Sequence, residues 1–216
     1  ISSFHALNSK ATAKKIAHKI GKKYEKINMI VVHLGGGISV SAHEKGKAID
    51  VNNSLDGDGP FSPERAGSLP TRDLVKLCFS GKYTENEILQ MLTGKGGLVS
   101  YLGTSNCQEV EERINRGDRK AEEVYEAMAY QASKEIGSAA TVLKGDVEVI
   151  ALTGSLANSE RFVNYISERV SFIAPIHLYP GENEMEALAE GTFRYLTGQE
   201  NARTYELSYY AKNKVS

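Results

Sequence analysis

The stretch "MIVVHLGGGISVSAHEKGKAIDV", residues 29–51, decides how this chain folds. Residues 29–34 read as a strongly apolar strand, and residues 38–42 alternate apolar with small polar side chains as a half-buried strand does. "HEKG" turns the chain at Gly46, and residues 48–51 form a third short strand. Gly35, Gly36 and Gly37 therefore join two strands of a hairpin and do not open a helix. One or two glycines suffice for a hairpin turn, and glycine weakens a strand and packs nothing. A third glycine implies that something approaches the backbone too closely for a side chain. Successive N–H groups in a tight turn form a nest for an anion, so the expected visitor is phosphate. The pattern is neither the Rossmann fingerprint, which opens a helix, nor a Walker A loop; "TGKGG" at 93–97 lacks the GK[ST] ending.

Upstream, residues 9–24 read as a helix with Asn8 or Ser9 as N-cap. Ala13, Ile16, Ala17, Ile20 and Tyr24 form one apolar stripe. Residues 1–24 hold six lysines and no acid, while the net charge of the chain is −1. A basic amphipathic helix suits a membrane surface or a targeting segment. The lysines lie largely off the stripe, which favours a solvated face on a packed helix.

Downstream, residues 52–70, "NNSLDGDGPFSPERAGSLP", have no period and are dense in Gly, Pro, Asp and Ser. Structureless runs of this length in a compact domain are usually functional. Helices are predicted over 71–79, 84–92, 106–115 and 118–144, the last mildly broken at Gly137. A strand follows over 146–152, then a helix over 161–173, a strand over 176–179 and a helix over 184–196. The order is β-β-β, helices, β-α-β-α, with a polar, peripheral tail.

The 216 residues are 41% hydrophobic and 25% charged, with 20 glycines and two cysteines, Cys78 and Cys107. This is ordinary globular composition, enough for a real core. No apolar run is long enough to span a bilayer, no secretory h-region is present, and the cysteines form no framework. The expectation is an intracellular protein with free thiols. The first residue is Ile1, so a fragment or processed product is expected.

Four further features carry chemistry, each with a plainer reading beside it. "VIALTGSLANS" is an apolar strand followed by Thr153, Gly154 and Ser155 and then a helix, a natural seat for an anion or a flat base; alone it is an ordinary βα turn. Arg65, framed by Pro63 and Gly67, suits a phosphoryl clamp; alone it is a surface arginine pairing with Glu64. Glu184 stands at the carboxyl end of a strand, the ligand side of an α/β sheet, where a carboxylate suits Mg²⁺; helix N-terminal acids also complement the dipole. His33 closes an apolar strand directly before the glycines and needs a polar partner, and His5 fits a buried, satisfied histidine. Neither spacing resembles a zinc site.

Taken together, "FHALN", "HLGGGISV", "VNNSLDGDGPFSPERAGSLP", "GKGGLVSYLGT", "ALTGSLANS" and "YPGENEMEALAEG" resemble the acyl kinases of the acetate kinase group, and within it the butyrate kinase branch. The resemblance covers nearly the whole chain. It implies an α/β fold, a ribonuclease-H-like domain of the actin-like ATPase superfamily, with a mixed sheet and flanking helices. It implies that residues 1–216 are the C-terminal part of such an enzyme. Residues about 25–185 would be mainly the second ribonuclease-H-like domain, 186–216 a C-terminal helix and tail, and the N-terminal domain with the first phosphate motif would be absent. The implied reaction is reversible phosphorylation of a short-chain carboxylate, butyrate, by ATP, with Mg²⁺, in the cytoplasm. The fragment would be inactive alone, and the full-length enzyme a homo-oligomer without nucleic-acid or membrane partners. Residue by residue, the resemblance gives Gly35, Gly36 and Gly37 to the ATP phosphates, Thr153, Gly154 and Ser155 to the adenosine, and Glu184 to Mg²⁺. Arg65, His5 and His33 fall to catalysis. Ser155 stands where such families usually carry a second glycine. The rival readings are a non-catalytic nucleotide-binding module, an actin-like regulator, or a sugar kinase of the same fold. An arginine in a Gly/Pro-framed loop beside the phosphate hairpin argues for the acyl kinase.

Overall fold

The computed structural model describes residues 5–181, 184–199 and 201, with residue 184 described by its backbone alone. The chain divides into two compact units, residues 1–182 and 183–216. The first holds a five-stranded sheet in the order β3-β2-β1-β4-β5. Its strands are β1 (Asn28–Leu34), β2 (Ile38–Glu44), β3 (Lys47–Val51), β4 (Val149–Gly154) and β5 (Ile176–Pro180). β1, β2 and β3 pair antiparallel, whereas β4 lies parallel to β1 and β5 parallel to β4. The sheet is therefore mixed, as the resemblance implied, and the order β-β-β, helices, β-α-β-α is observed. The two-residue turn between β2 and β3 puts Lys45 and Gly46 at φ 45° and 85°, the left-handed pair that a tight hairpin requires.

Both faces of β1 and β4 are covered, which explains their near-continuous apolar sequence. On one side Ile30, Val32, Leu34, Ile150 and Leu152 pack in the main core with α6 (Arg119–Val142) and α7 (Glu160–Val170). On the other, Met29, Val31, Val149 and Ala151 meet Ala13, Ile16 and Ala17 of α1 (Ala6–Lys19). The buried face of α6 includes Ala121, Ala129, Ala132, Ala139 and Ala140; short side chains let the helix lie close to its neighbours. Gly137 does not break this helix, which runs through it.

Two expectations fail here for one physical reason. β2 is buried along its length except at Glu44, and α1 begins at Ala6 with His5, not Asn8 or Ser9, at its N-cap position. Ser39, Ser41 and His43 of β2 face α1, and the side chains of α1 that meet them are polar. Ser9 Oγ lies 2.8 Å from Ser41 Oγ and 3.0 Å from His43 Nε2, and Tyr24 OH lies 2.7 Å from His43 Nδ1. The polar residues that looked like solvent-facing and capping positions instead satisfy one another in a buried seam, as buried polar groups must. The apolar stripe is buried as expected, Ile20 only partly, but the helix expected to reach residue 24 ends at Lys19: Ile20 is its C-cap, Gly21 turns at φ 71°, and Tyr24 opens a separate 3₁₀ turn.

The remaining helices are α2 (Thr71–Cys78), α3 (Glu85–Leu92), α4 (Gly97–Leu102) and α5 (Cys107–Asn115). Thr84 opens α3 with a reciprocal capping box, and Asn106, Asp118 and Ser159 cap α5, α6 and α7. The short α4 has no counterpart among the predicted helices. In the second unit α8 spans Glu184–Leu196. No helix of the described residues is long and apolar enough to cross a membrane, and both cysteines are free.

Candidate functional site

Because β1 and β4 are parallel neighbours, with His33 opposite Thr153, the turns that follow them emerge on one rim of the sheet. Gly154 ends β4 at φ 92°, where a side chain is strained, and its Cβ would collide with the backbone of Leu34. This glycine lets the two strand ends lie in contact. Beyond it, Ser155–Asn158 form a short 3₁₀ turn. Gly35, Gly36, Glu64, Glu111, Ser155 and Asn158 all line one cleft of about 430 Å³. Thr153 does not reach it: its side chain is fully buried and its hydroxyl has no hydrogen-bond partner among the described residues.

The three central glycines are explained by close approach rather than by conformation, since none of them has a left-handed φ. A Cβ on Gly37 would land on the Arg65 guanidinium, 2.6 Å from Cζ, and one on Gly35 would lie 2.9 Å from His33 Nε2. A Cβ on Gly36 meets only Glu64 Oε2, at an ordinary 3.7 Å. Two of the glycines thus admit this protein's own catalytic candidates, and the third leaves an open backbone facing the cleft.

Arg65 is held from behind. Residues 62–65 form a tight turn, with Ser62 N donating to Arg65 O at 3.0 Å, and Ser62 Oγ donating to Gly36 O at 2.6 Å ties that turn to the glycine loop. The amides of Gly94 and Leu98 donate to Glu64 O and Ser62 O at 2.8 and 3.2 Å. Cβ atoms on Gly96 or Gly97 would strike the backbone of residues 62–66. "TGKGG", set aside as a phosphate loop, is therefore the seat of the arginine turn. Arg65 Nη1 donates to Ser54 O and Ser54 Oγ at 3.1 and 3.0 Å. Nε and Nη2 have no partner among the described residues.

His5 and His33 are stacked, with ring centroids 3.7 Å apart and planes inclined by 19°. His5 Nδ1 lies 3.1 Å from Ser39 Oγ, and His33 Nδ1 lies 3.2 Å from Asn8 Nδ2. Burial, then the charges of His5 and Arg65, push His33 from 6.5 down to about 3, so its ring is neutral at physiological pH. The carboxylate of Glu184 lies outside the described residues, and among those described no three His, Cys, Asp or Glu form a metal-holding group.

Several participants were missed in the sequence. Asn8 and Ser62 support His33 and the arginine turn, while Tyr125 OH and Ser159 Oγ both donate to Glu111 Oε1 at the cleft wall. The available signal was the surplus of glycines in "TGKGG"; Asn8 offered only its capping propensity.

The model of the acetokinase family matches residues 2–190. The chain belongs to the acetokinase family. Among its curated relatives, butyrate kinase 2 of Clostridium acetobutylicum is 58% identical over 203 residues, 94% of this chain and 57% of that protein. A probable butyrate kinase of Listeria monocytogenes is 55% identical over 202 residues, again 94% of this chain and 57% of that protein. The chain thus spans little more than half the length of the curated relatives it matches. Among solved structures, Porphyromonas gingivalis acetate kinase superposes with a TM-score of 0.81 at 20% identity, over 88% of this chain and 55% of that one. A propionate kinase of Francisella tularensis gives 0.77 at 21%, over 86% and 53%. These likenesses establish that this acetokinase-family chain has the fold of the corresponding part of those acetate and propionate kinases.

Proposed function

We propose that the full-length protein transfers a phosphoryl group from ATP to a short-chain carboxylate, butyrate, forming ADP and butyryl phosphate reversibly. The observation that carries this reading is the Arg65 guanidinium laid across Gly37, its Nε and Nη2 without a partner among the described residues, beside a cleft that the glycine loop shares with Ser155. The identity to butyrate kinases supports butyrate as the acceptor.

A carboxylate is already a nucleophile and needs no general base. The difficulty is an anion attacking an anion, so catalysis rests on alignment and charge neutralisation. One carboxylate oxygen bonds to the γ-phosphorus as its bond to the bridging oxygen of ADP breaks, and no proton moves. The open backbone at Gly36 receives phosphate oxygens, the nucleoside lies towards Ser155 and Asn158, and His5 and His33 offer ring N–H groups. Arg65 neutralises the group in transfer; in other phosphoryl-transfer enzymes such an arginine is worth about 10³ or more in rate. Mg²⁺ would supply further charge neutralisation at the phosphates, and Glu184 is the residue we assign to hold it. We also assign the chain to the C-terminal part of the enzyme, acting in the cytoplasm as a homo-oligomer without nucleic-acid or membrane partners. A module that only binds nucleotide has no use for Arg65 at this place.

The test is steady-state turnover of the full-length protein with ATP, Mg²⁺ and butyrate, trapping acyl phosphate with hydroxylamine. Butyrate-dependent hydroxamate is expected. ATP consumption with a hydroxyl acceptor and none with any short carboxylate would overturn the reading.

A further inference from the structure

α1 places Asn8 and Thr12 four residues apart, so that their side chains meet on one face. Both are almost fully buried. Thr12 Oγ1 donates to Asn8 Oδ1 at 3.2 Å, and the other end of the same amide, Nδ2, lies 3.2 Å from His33 Nδ1. An amide has one accepting and one donating end. In the structure the amide turns its oxygen to the Thr12 hydroxyl and its nitrogen to His33, an arrangement in which His33 Nδ1 accepts. A neutral imidazole that accepts at Nδ1 carries its proton on Nε2, and Nε2 is the atom that lies against Gly35 at the rim.

We infer that Asn8, locked by Thr12, holds His33 in its Nε2–H tautomer, making Asn8 a positioning residue that keeps this ring a hydrogen-bond donor to the phosphoryl group. The catalytic half of this inference rests on the function proposed above. The reverse amide orientation would draw Nδ1–H onto Asn8 Oδ1 and aim a lone pair of Nε2 at the rim, where it repels phosphate oxygens. The rest of the buried face of α1 explains why the pair is polar. Ala13, Ile16 and Ala17 fill their places with apolar groups, whereas an apolar residue at position 8 would meet Thr12 and His33 with nothing to bond them. It would leave His33 Nδ1 buried without a partner, a costly state, and the tautomer unselected.

The test labels histidine with ¹⁵N in the full-length protein and reads ring-nitrogen protonation by NMR, assigning His33 by the signal lost in His33→Gln. Wild type should show Nε2 protonated and Nδ1 bare. Asn8→Leu should give a mixture or the Nδ1–H form, with kcat lower by about tenfold, one lost directed hydrogen bond, and KM for ATP nearly unchanged. If Asn8→Leu does not fold, Thr12→Val against Thr12→Ser decides: only the valine should disturb the tautomer. A wild-type Nδ1–H form, or an undisturbed signal in Asn8→Leu or Thr12→Val, overturns the inference. A disturbed tautomer with unchanged kcat leaves the positioning intact and removes His33 from the proposed reaction.

Discussion

At the scale of single residues, the three glycines of the β1–β2 loop make separable predictions. Gly36 has room for a methyl group in the free protein, so Gly36→Ala should fold with a stability change within about 1 kcal/mol. If phosphate touches this backbone, nucleotide affinity should nevertheless fall by about tenfold or more, measurable by calorimetric titration; unchanged affinity would move the phosphates elsewhere. Gly37→Ala must displace the Arg65 guanidinium, so its defect should resemble that of arginine variants. Arg65→Ala should lower kcat far more than it raises KM for ATP, because the charge it meets develops in transfer. Lysine should rescue poorly, a point charge being unable to span two phosphoryl oxygens. Loss of the bonds to Ser54 should cost on the order of 1–2 kcal/mol in stability, and a kcat near wild type in Arg65→Ala would return it to a structural role. Much at this scale was legible: a third glycine beyond the needs of a turn signalled close approach. Which body approaches was not, since a glycine reports absence of a side chain and not the identity of its neighbour. The structure puts Arg65 and His33 there.

At the scale of elements, the buried polar contacts that α1 and its flanks make with β1 and β2 couple folding to pH. Burial holds His43 at about 4 and, with the charges of His5 and Arg65, His33 at about 3, both below 6.5. Both rings are neutral in the fold and gain protons more readily when unfolded. Their contribution is therefore fully present above 6.5 and is lost as pH falls towards 4 and 3. The slope is about 1.4 kcal/mol per pH unit for each histidine. Urea midpoints of the full-length protein between pH 7.5 and 5.5 should fall before carboxylates titrate, and less steeply in His43→Gln; equal slopes in the two proteins would contradict the seam. The same seam marks where the sequence misleads. Alternation in residues 38–42 correctly indicates two faces, but periodicity separates polar from apolar positions and does not say whether a polar face meets water or other polar groups. Asn8 and Ser9 look like caps for the same reason: their side chains bond the backbone at a helix start or a neighbouring element equally well. By contrast the helix starts expected at 84, 106 and 118 lie within one residue of those observed, where Thr84, Asn106 and Asp118 cap with partners no more than three residues along the chain.

At the scale of the whole molecule, the decisive event is the return of β4 beside β1 after the intervening helices, which brings Gly154 against Leu34 and two distant turns into one cleft. Local pattern locates both strands but not their adjacency; the resemblance only gave both turns to one nucleotide, and the parallel register of β1 and β4 is what brings the turns together. The chain spans 57% of its curated relatives' length, so the 216 residues alone are expected to bind nucleotide weakly and to turn over no butyrate. Ordinary turnover by this chain in the hydroxamate assay would show that the rim is sufficient by itself. The most direct measurement is a crystal structure of the full-length protein with Mg²⁺ and a non-hydrolysable ATP analogue. The β- and γ-phosphates should lie over Gly35–Gly37, with Nε or Nη2 of Arg65 facing the γ-phosphate and the nucleoside against Ser155 and Asn158. Phosphates bound away from the glycine loop, with Arg65 still folded onto Ser54 and facing no ligand, would contradict the account.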